Sequence, residues 1–260
     1  MSSSTPQRQH VLLTFVGLAV ASLVGLWLIP TDSLTRVVAA RAVALVATLI
    51  LLRRLVGLSG PARRAWSLVW AYQALTLLAD LVYADLAVLD AEPSFPNPSD
   101  VLYLITYAFA FAAVRAFAGL VHAEMDGRLR MELHALMWAG AAVVTLVLVG
   151  PWLLEGSADA LTPVVALAYP VLDLLLVLVV LAVLHAQLRR NRSVQLLLGG
   201  FATFLILDIA YYLQAVTGDS TEFRLLEVGW TAALLLLTFA AYAPGEQLTQ
   251  HQPAPIAVMA

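Results

Sequence analysis

The sequence predicts an all-α, polytopic membrane helix bundle of about eight transmembrane helices, and three observations predict it. The 260 residues are 62% hydrophobic and only 12% charged, with a mean hydropathy of +0.88, where a soluble domain carries roughly twice that charged fraction. The apolar residues come in runs near twenty long, the length that crosses about 30 Å of hydrocarbon at 1.5 Å per residue. Turn residues and charges interrupt those runs at regular places.

The spans are expected at 11–29, 34–52, 65–89, 99–121, 131–154, 161–188, 193–216 and 223–243. Between them stand Pro30, Gly60-Pro61, the cluster Pro93, Pro96 and Pro98, then Gly156, Arg189 to Ser193, and Thr217-Gly218-Asp219, all punctuation that ends apolar helices. Arg8 and His10 precede the first apolar run as they would in a signal peptide. That run is longer than a usual signal core and ends at Ile29-Pro30-Thr31 without a small-residue cleavage site, so it is expected to stay as the first helix. Residues 1–10 then form a cytoplasmic N-terminal segment, and 244–260, with Pro244, Pro253 and Pro255, a short disordered cytoplasmic tail.

Orientation follows from the arginines. Arg8, Arg53, Arg54, Arg63, Arg64, Arg128, Arg130, Arg189, Arg190 and Arg192, ten of the fourteen, fall on one side, which is expected to be cytoplasmic. Arg36, Arg41 and Arg224 fall on the other, and Arg115 lies within the fourth span, near enough to its end to snorkel. An even number of spans gives an N-in/C-in protein of the plasma membrane. Asp32, Asp90, Glu92, Glu155, Asp159, Asp219 and Glu222 make the outer loops acidic, a surface that concentrates cations.

Composition excludes several chemistries. No cysteine is present, so disulfides, iron–sulfur clusters and thiolate zinc sites are out. All fourteen basic residues are arginine, so no lysine Schiff base to a retinal can form. His122, His134 and His185 lie near the inner boundary without the i, i+4 spacing of a metal pair. Trp66, Trp70, Trp138 and Trp152 read as interfacial or packing aromatics. HExxH, Gly-x-Ser-x-Gly and histidine-box spacings are missing, so no enzyme is expected. The sequence names no cofactor, metal or nucleic-acid partner.

Ionisable groups inside spans are costly and mark function by default. Here they come with aromatic residues three or four positions away: Asp80 with Tyr83, Asp100 with Tyr103, Tyr169 with Asp173, Asp208 with Tyr211, and Glu227 with Trp230. That spacing puts both members on one helix face, where a tyrosine hydroxyl serves as donor to a carboxylate. The orientation puts all five acids in the outer half of the bilayer. They form either a shared ligand pocket or a set of interhelical hydrogen bonds. For Asp100 and Glu227, near helix starts, capping and the helix dipole are a further explanation. Asp85 reads as interfacial. Asp80 and Asp208 each follow the arginine that starts their span, Arg64 or Arg192, by sixteen residues, about 24 Å along the axis. An acid opens the next span in both cases, Asp100 or Glu227. This pattern suggests a parallel 4+4 repeat of spans 1–4 and 5–8.

The stretch Pro96-Asn97-Pro98-Ser99-Asp100-Val101-Leu102-Tyr103-Leu104 resembles a "PS-x-AD-x-x-YL" motif found in the multi-pass N-terminal membrane regions of actinobacterial-type GGDEF/EAL proteins, which make and degrade cyclic di-GMP. Ala79-Asp80-Leu81-Val82-Tyr83, Tyr169-Pro170-Val171-Leu172-Asp173 and Glu227-Val228-Gly229-Trp230 fit the same pattern, so the likeness covers about residues 65–242. Asn97 and Ser99 replace the motif's usual Ser and Ala. No GGDEF or EAL signature is present, and the chain runs only about eighteen residues past Tyr242. The resemblance therefore implies a sensory input region without its catalytic domain.

The expected function is a membrane sensory or accessory module that binds a small ligand, cation or lipid in this acidic pocket. It would act through a protein partner or as a homo-oligomer. A proton- or cation-coupled transporter and a structural membrane subunit are the alternatives. Reporter fusions at Gly60, Gly127 and the C-terminus should read cytoplasmic, and fusions near Glu92 and Asp219 external. A cytoplasmic signal at Glu92 would overturn the orientation.

Overall fold

Helix starts in this chain are set by residues that supply what a first turn lacks, because the first four N–H groups of a helix have no partner within it. The computed structural model describes residues 6–30, 33–89, 97–121, 131, 135, 161–183, 192–217 and 223–243. Ser33 is extended, and its hydroxyl oxygen accepts from the Arg36 N–H at 3.3 Å. Asn97 accepts from the Ser99 N–H at 2.9 Å while the Asp100 carboxylate reaches back to the Asn97 N–H at 2.7 Å, a reciprocal capping box. Gly60 turns the chain with φ 57°, a left-handed conformation that side chains resist. Pro61 follows in the first turn, where its missing N–H is not needed.

Among the described residues the chain forms seven helices: α1 (Pro6–Leu28), α2 (Leu34–Val56), α3 (Gly60–Leu89), α4 (Pro98–Val121), α5 (Leu161–Val183), α6 (Arg192–Thr217) and α7 (Phe223–Ala240). Each overlaps an expected span, although α1 starts at Pro6 instead of 11, α2 runs to Val56 instead of 52, and α3 starts at Gly60 instead of 65. The span expected at 131–154 lies outside the described residues apart from 131 and 135, which are helical. So do the expected tail at 244–260 and His122, His134, His185, Trp138 and Trp152. By length and composition α2, Gly60–Asp85 of α3, Pro98–Phe117 of α4 and Arg192–Tyr211 of α6 are apolar enough to cross a membrane, and Leu13–Leu28 and Ala168–Leu181 are shorter apolar stretches. The secondary structure of the described residues is all-helical, and four of their helices are long and apolar enough to make this a membrane protein.

Packing follows chain order. From α2 to α7 each helix packs on the next, and α7 packs back on α2, which closes a ring of six; α1 packs against α7 and α2. Leu45, Val46, Leu49, Val101, Ile105 and Ile206 stay 46–66% exposed, as lipid-facing side chains should be where the solvent is itself apolar. The buried apolar core gathers at one end of the ring. It includes Trp66 and Val69 early in α3, Phe117 late in α4, Val180 late in α5, Leu197 early in α6 and Leu237 late in α7. Arg53, Arg54, Arg63, Arg64 and Arg192 sit at the same helix ends, so this is the arginine-rich end. Asp100, Glu227 and the late turns of α3 and α6 mark the opposite, acidic end.

Small residues set how closely α6 and α7 approach. A Cβ added at Gly200 would stand 2.6 Å from Leu237 Cδ2, and one at Gly229 would stand 2.7 Å from Leu207 Cδ1. Leu237 is itself fully buried and has nowhere to go. Gly200→Val should therefore cost about 1–3 kcal/mol, the usual overpacking penalty, read as a lower unfolding temperature of the purified protein. Gly199→Val, with nothing within 4 Å of its added Cβ, should leave that temperature nearly unchanged.

Candidate functional site

The acidic end is built around one arginine. Arg36, in the first turn of α2, is completely buried, and a buried guanidinium must find partners for all its N–H groups. Its Nε donates to Glu227 Oε2 of α7. Its Nη1 donates to the Leu26 and Ile29 carbonyls at 2.7 and 3.0 Å, which the end of α1 leaves without helical donors. Its Nη2 donates to the Arg224 carbonyl at 3.2 Å. Arg41 adds a longer contact to Glu227 Oε1 at 3.5 Å. Glu227, expected as a helix-start acid sharing a face with Trp230, takes its partners from arginines of α2. Arg36 was expected only to mark the outer side, and its role was missed. The available signal was the cost of a charge inside an apolar run.

The remaining acids also find their donors on other helices. Tyr103 of α4 donates to Asp80 of α3 at 2.5 Å, and Tyr169 of α5 donates to Asp100 of α4 at 2.6 Å. Tyr107 of α4 donates to Asp173 of α5 at 2.8 Å, and Trp230 Nε1 of α7 donates to Asp208 of α6 at 2.7 Å. The acids bond between helices, as one of the two expected readings has it, but to aromatic residues other than those three or four positions away. Two side chains on one helix face point in the same direction, so each reaches the facing helix more easily than its own neighbour. Asp100 does both things foreseen for it: one oxygen caps α4 and the other takes the Tyr169 hydroxyl. Tyr83 is half-buried and close to Tyr211, which packs edge-on to Trp230 at 5.7 Å. Asp85 and Arg115 are exposed.

At the centre two acids meet. The carboxyls of Asp173 and Asp208 face each other within hydrogen-bonding reach. Asp173 is 2% exposed, and its Oδ2 has no hydrogen-bond partner among the described residues. The buried Tyr72 hydroxyl lies close enough to Asp80, Asp173 and Asp208 to interact with all three, and its ring packs edge-on against Phe201 and Phe204 at 5.7 and 6.1 Å. Asp80, Asp173 and Asp208 therefore share one neighbourhood. Tyr72 and Tyr107 were not anticipated, although they stand two helical turns from Asp80 and one from Tyr103. Towards the arginine-rich end the next polar layer is Gln73 with Thr238. The Gln73 amide donates to the Leu234 carbonyl and to the Thr238 hydroxyl at 2.9 and 3.1 Å.

Among the described residues no group of three or more His, Asp or Glu side chains could hold a metal ion. No family model matches the chain, and no curated protein or solved structure is detectably similar to it.

Removing one member of a buried ion pair strands the other, at about 3–5 kcal/mol, whereas replacing both by apolar groups is often close to neutral. Arg36→Met should thus destabilise strongly, and adding Glu227→Met should recover most of the loss in a thermal unfolding series. Equal damage from the double variant would mean the Arg36–Glu227 pair is not what holds this end.

Proposed function

We propose that this chain is a multi-pass plasma-membrane protein of eight spans with both termini in the cytoplasm. It acts as a sensory or accessory module that takes up a small ligand, cation or lipid at its acidic, outer end and signals through a protein partner or a second copy of itself. The observation that carries this reading is the Asp173–Asp208 pair. A bundle held only by hydrogen bonds gains nothing by setting two acids against each other, since like charges at one site repel strongly where water is scarce. Such a pair is stable when something positive joins it. The reading of the residues 96–104 as part of a cyclic di-GMP input region supports the same class, because Asp80, Asp100, Tyr103 and Asp173 belong both to the resemblance and to the site.

The proposed 4+4 repeat has support beyond the spacing of acids. Arg64, Asp80 and Tyr83 recur 128 residues later as Arg192, Asp208 and Tyr211. The bond from Tyr103 to Asp80 has its counterpart in Trp230 to Asp208. The bond from Tyr169 to Asp100 has its counterpart in the Arg41–Glu227 contact, again at offsets of 128 and 127. Under this reading α2–α4 and α5–α7 are equivalent halves of the ring.

A structural subunit is the second reading, favoured by the donors found for Asp80, Asp100 and Asp208. Asp80→Asn and Asp208→Asn separate the two, because each keeps size and most hydrogen bonding while deleting charge. Both variants should fold with a loss of no more than about 1 kcal/mol. They should also lose the thermal stabilisation that added cations or lipids give the parent, about 2.7 kcal/mol at a hundredfold excess over Kd. Variants stabilised like the parent would leave only the structural reading.

A further inference from the structure

We infer that Asp173 and Asp208 hold one exchangeable proton between them, and that this proton enters and leaves only from the acidic end, past Tyr169 and Asp100. The inference rests on the reading of this site as a binding site and names its ligand.

The groups around the pair decide what it takes. Asp173 Oδ1 is occupied by the Tyr107 hydroxyl of α4 and Asp208 Oδ1 by the Trp230 indole of α7. Tyr72 of α3 lies beside both acids, and Tyr169 of α5 lies near Asp208. The nearby arginines, Arg36 and Arg41, are engaged by Glu227. Among the described residues no cation therefore neutralises the pair. Among the described residues no group of three or more acidic or histidine side chains could hold a metal ion, whereas Asp173 Oδ2 lies buried without a donor against the other acid. One proton meets that need. It bonds to one carboxylate, which becomes a carboxylic acid and donates to its neighbour, and the charge of the pair falls from −2 to −1.

Among the described residues access is one-sided. Towards the acidic end Asp208 is followed by Tyr169 and then by Asp100, whose carboxylate caps α4. Towards the arginine-rich end Gln73 and Thr238 bond to each other, and the apolar core with Trp66 against Phe117 at 4.9 Å lies beyond them. Release returns the proton to water on the acidic side and leaves two like charges on α5 and α6. An outward-facing proton site that drives two helices apart is a sensor of external acidity. It does not carry protons across the membrane.

Infrared difference spectroscopy tests this on the full chain, reconstituted in lipid vesicles of one orientation selected through a C-terminal tag. The parent should show the C=O band of one protonated carboxyl, shifted by deuterium exchange and changing with pH on the acidic-end side only. Asp173→Asn and Asp208→Asn should each abolish the band, Asp208→Glu should keep it at a shifted frequency, and Asp85→Asn, exposed on α3, should leave it unchanged. No such band in the parent across the accessible pH range, or a band surviving both Asn variants, overturns the shared proton. A band that follows pH on the arginine-rich side overturns the one-sided route. If an Asn variant does not fold, the sidedness of the parent's band and the Asp208→Glu shift still decide. Stabilisation by cations or lipids without the band would sink the proton while leaving the binding site standing.

Discussion

A carboxyl group inside an apolar bundle must be met by a donor, and here that donor comes from another helix. Asp80, Asp100, Asp173, Asp208 and Glu227 are met by Tyr103, Tyr169, Tyr107, Trp230 and Arg36 respectively. These bonds fall at the α3–α4, α4–α5, α6–α7 and α7–α2 contacts of the ring. A slide of one helical turn, about 5.4 Å, would break them and bury the freed groups, so each contact has one permitted register. Apolar faces alone would not choose, because leucine against leucine packs almost as well one turn away. The contact between α5 and α6 is different in kind, for there acid meets acid.

Individually these bonds are modest. Interhelical hydrogen bonds in membranes average about 0.6 kcal/mol, since an unfolded chain in lipid also finds partners. The buried Arg36–Glu227 pair likewise offsets much of its attraction by desolvation. What the polar groups contribute is a unique arrangement, while close packing such as Gly200 on Leu237 and Gly229 on Leu207 supplies the van der Waals attraction that holds helices in a solvent as apolar as they are.

Fold class and helix positions were legible because composition and run length report directly on burial in lipid. The acids of the site were legible too, since a charge in an apolar run is conspicuous. Their partners were not. A spacing of three or four residues tells which face Asp80 and Tyr83 share, but not which helix that face meets, and it was Tyr103 that met it. In the sequence Arg36 is one outer-side charge among three, because a topology rule weighs an arginine by its position and ignores its partners. Tyr72 and Tyr107 lay within apolar runs, where nothing in the sequence distinguishes a ring that only packs from one whose hydroxyl reaches a carboxyl.

The latch on α1 has a consequence in time. The carbonyls at the end of this first helix are gripped by Arg36, which is itself held by Glu227, 191 residues further along the chain. Phe15 of α1 likewise stacks on Phe239 at 5.7 Å and on Tyr242 at 6.5 Å. A ribosome delivers α1 first and its seat last, at about 5–20 residues per second. For roughly ten seconds or more α1 waits in the bilayer with its anchoring arginine unpaired. Closure of the ring by α7 and docking of α1 are then a single late event, and α1, made before the other described helices, is among the last to be folded.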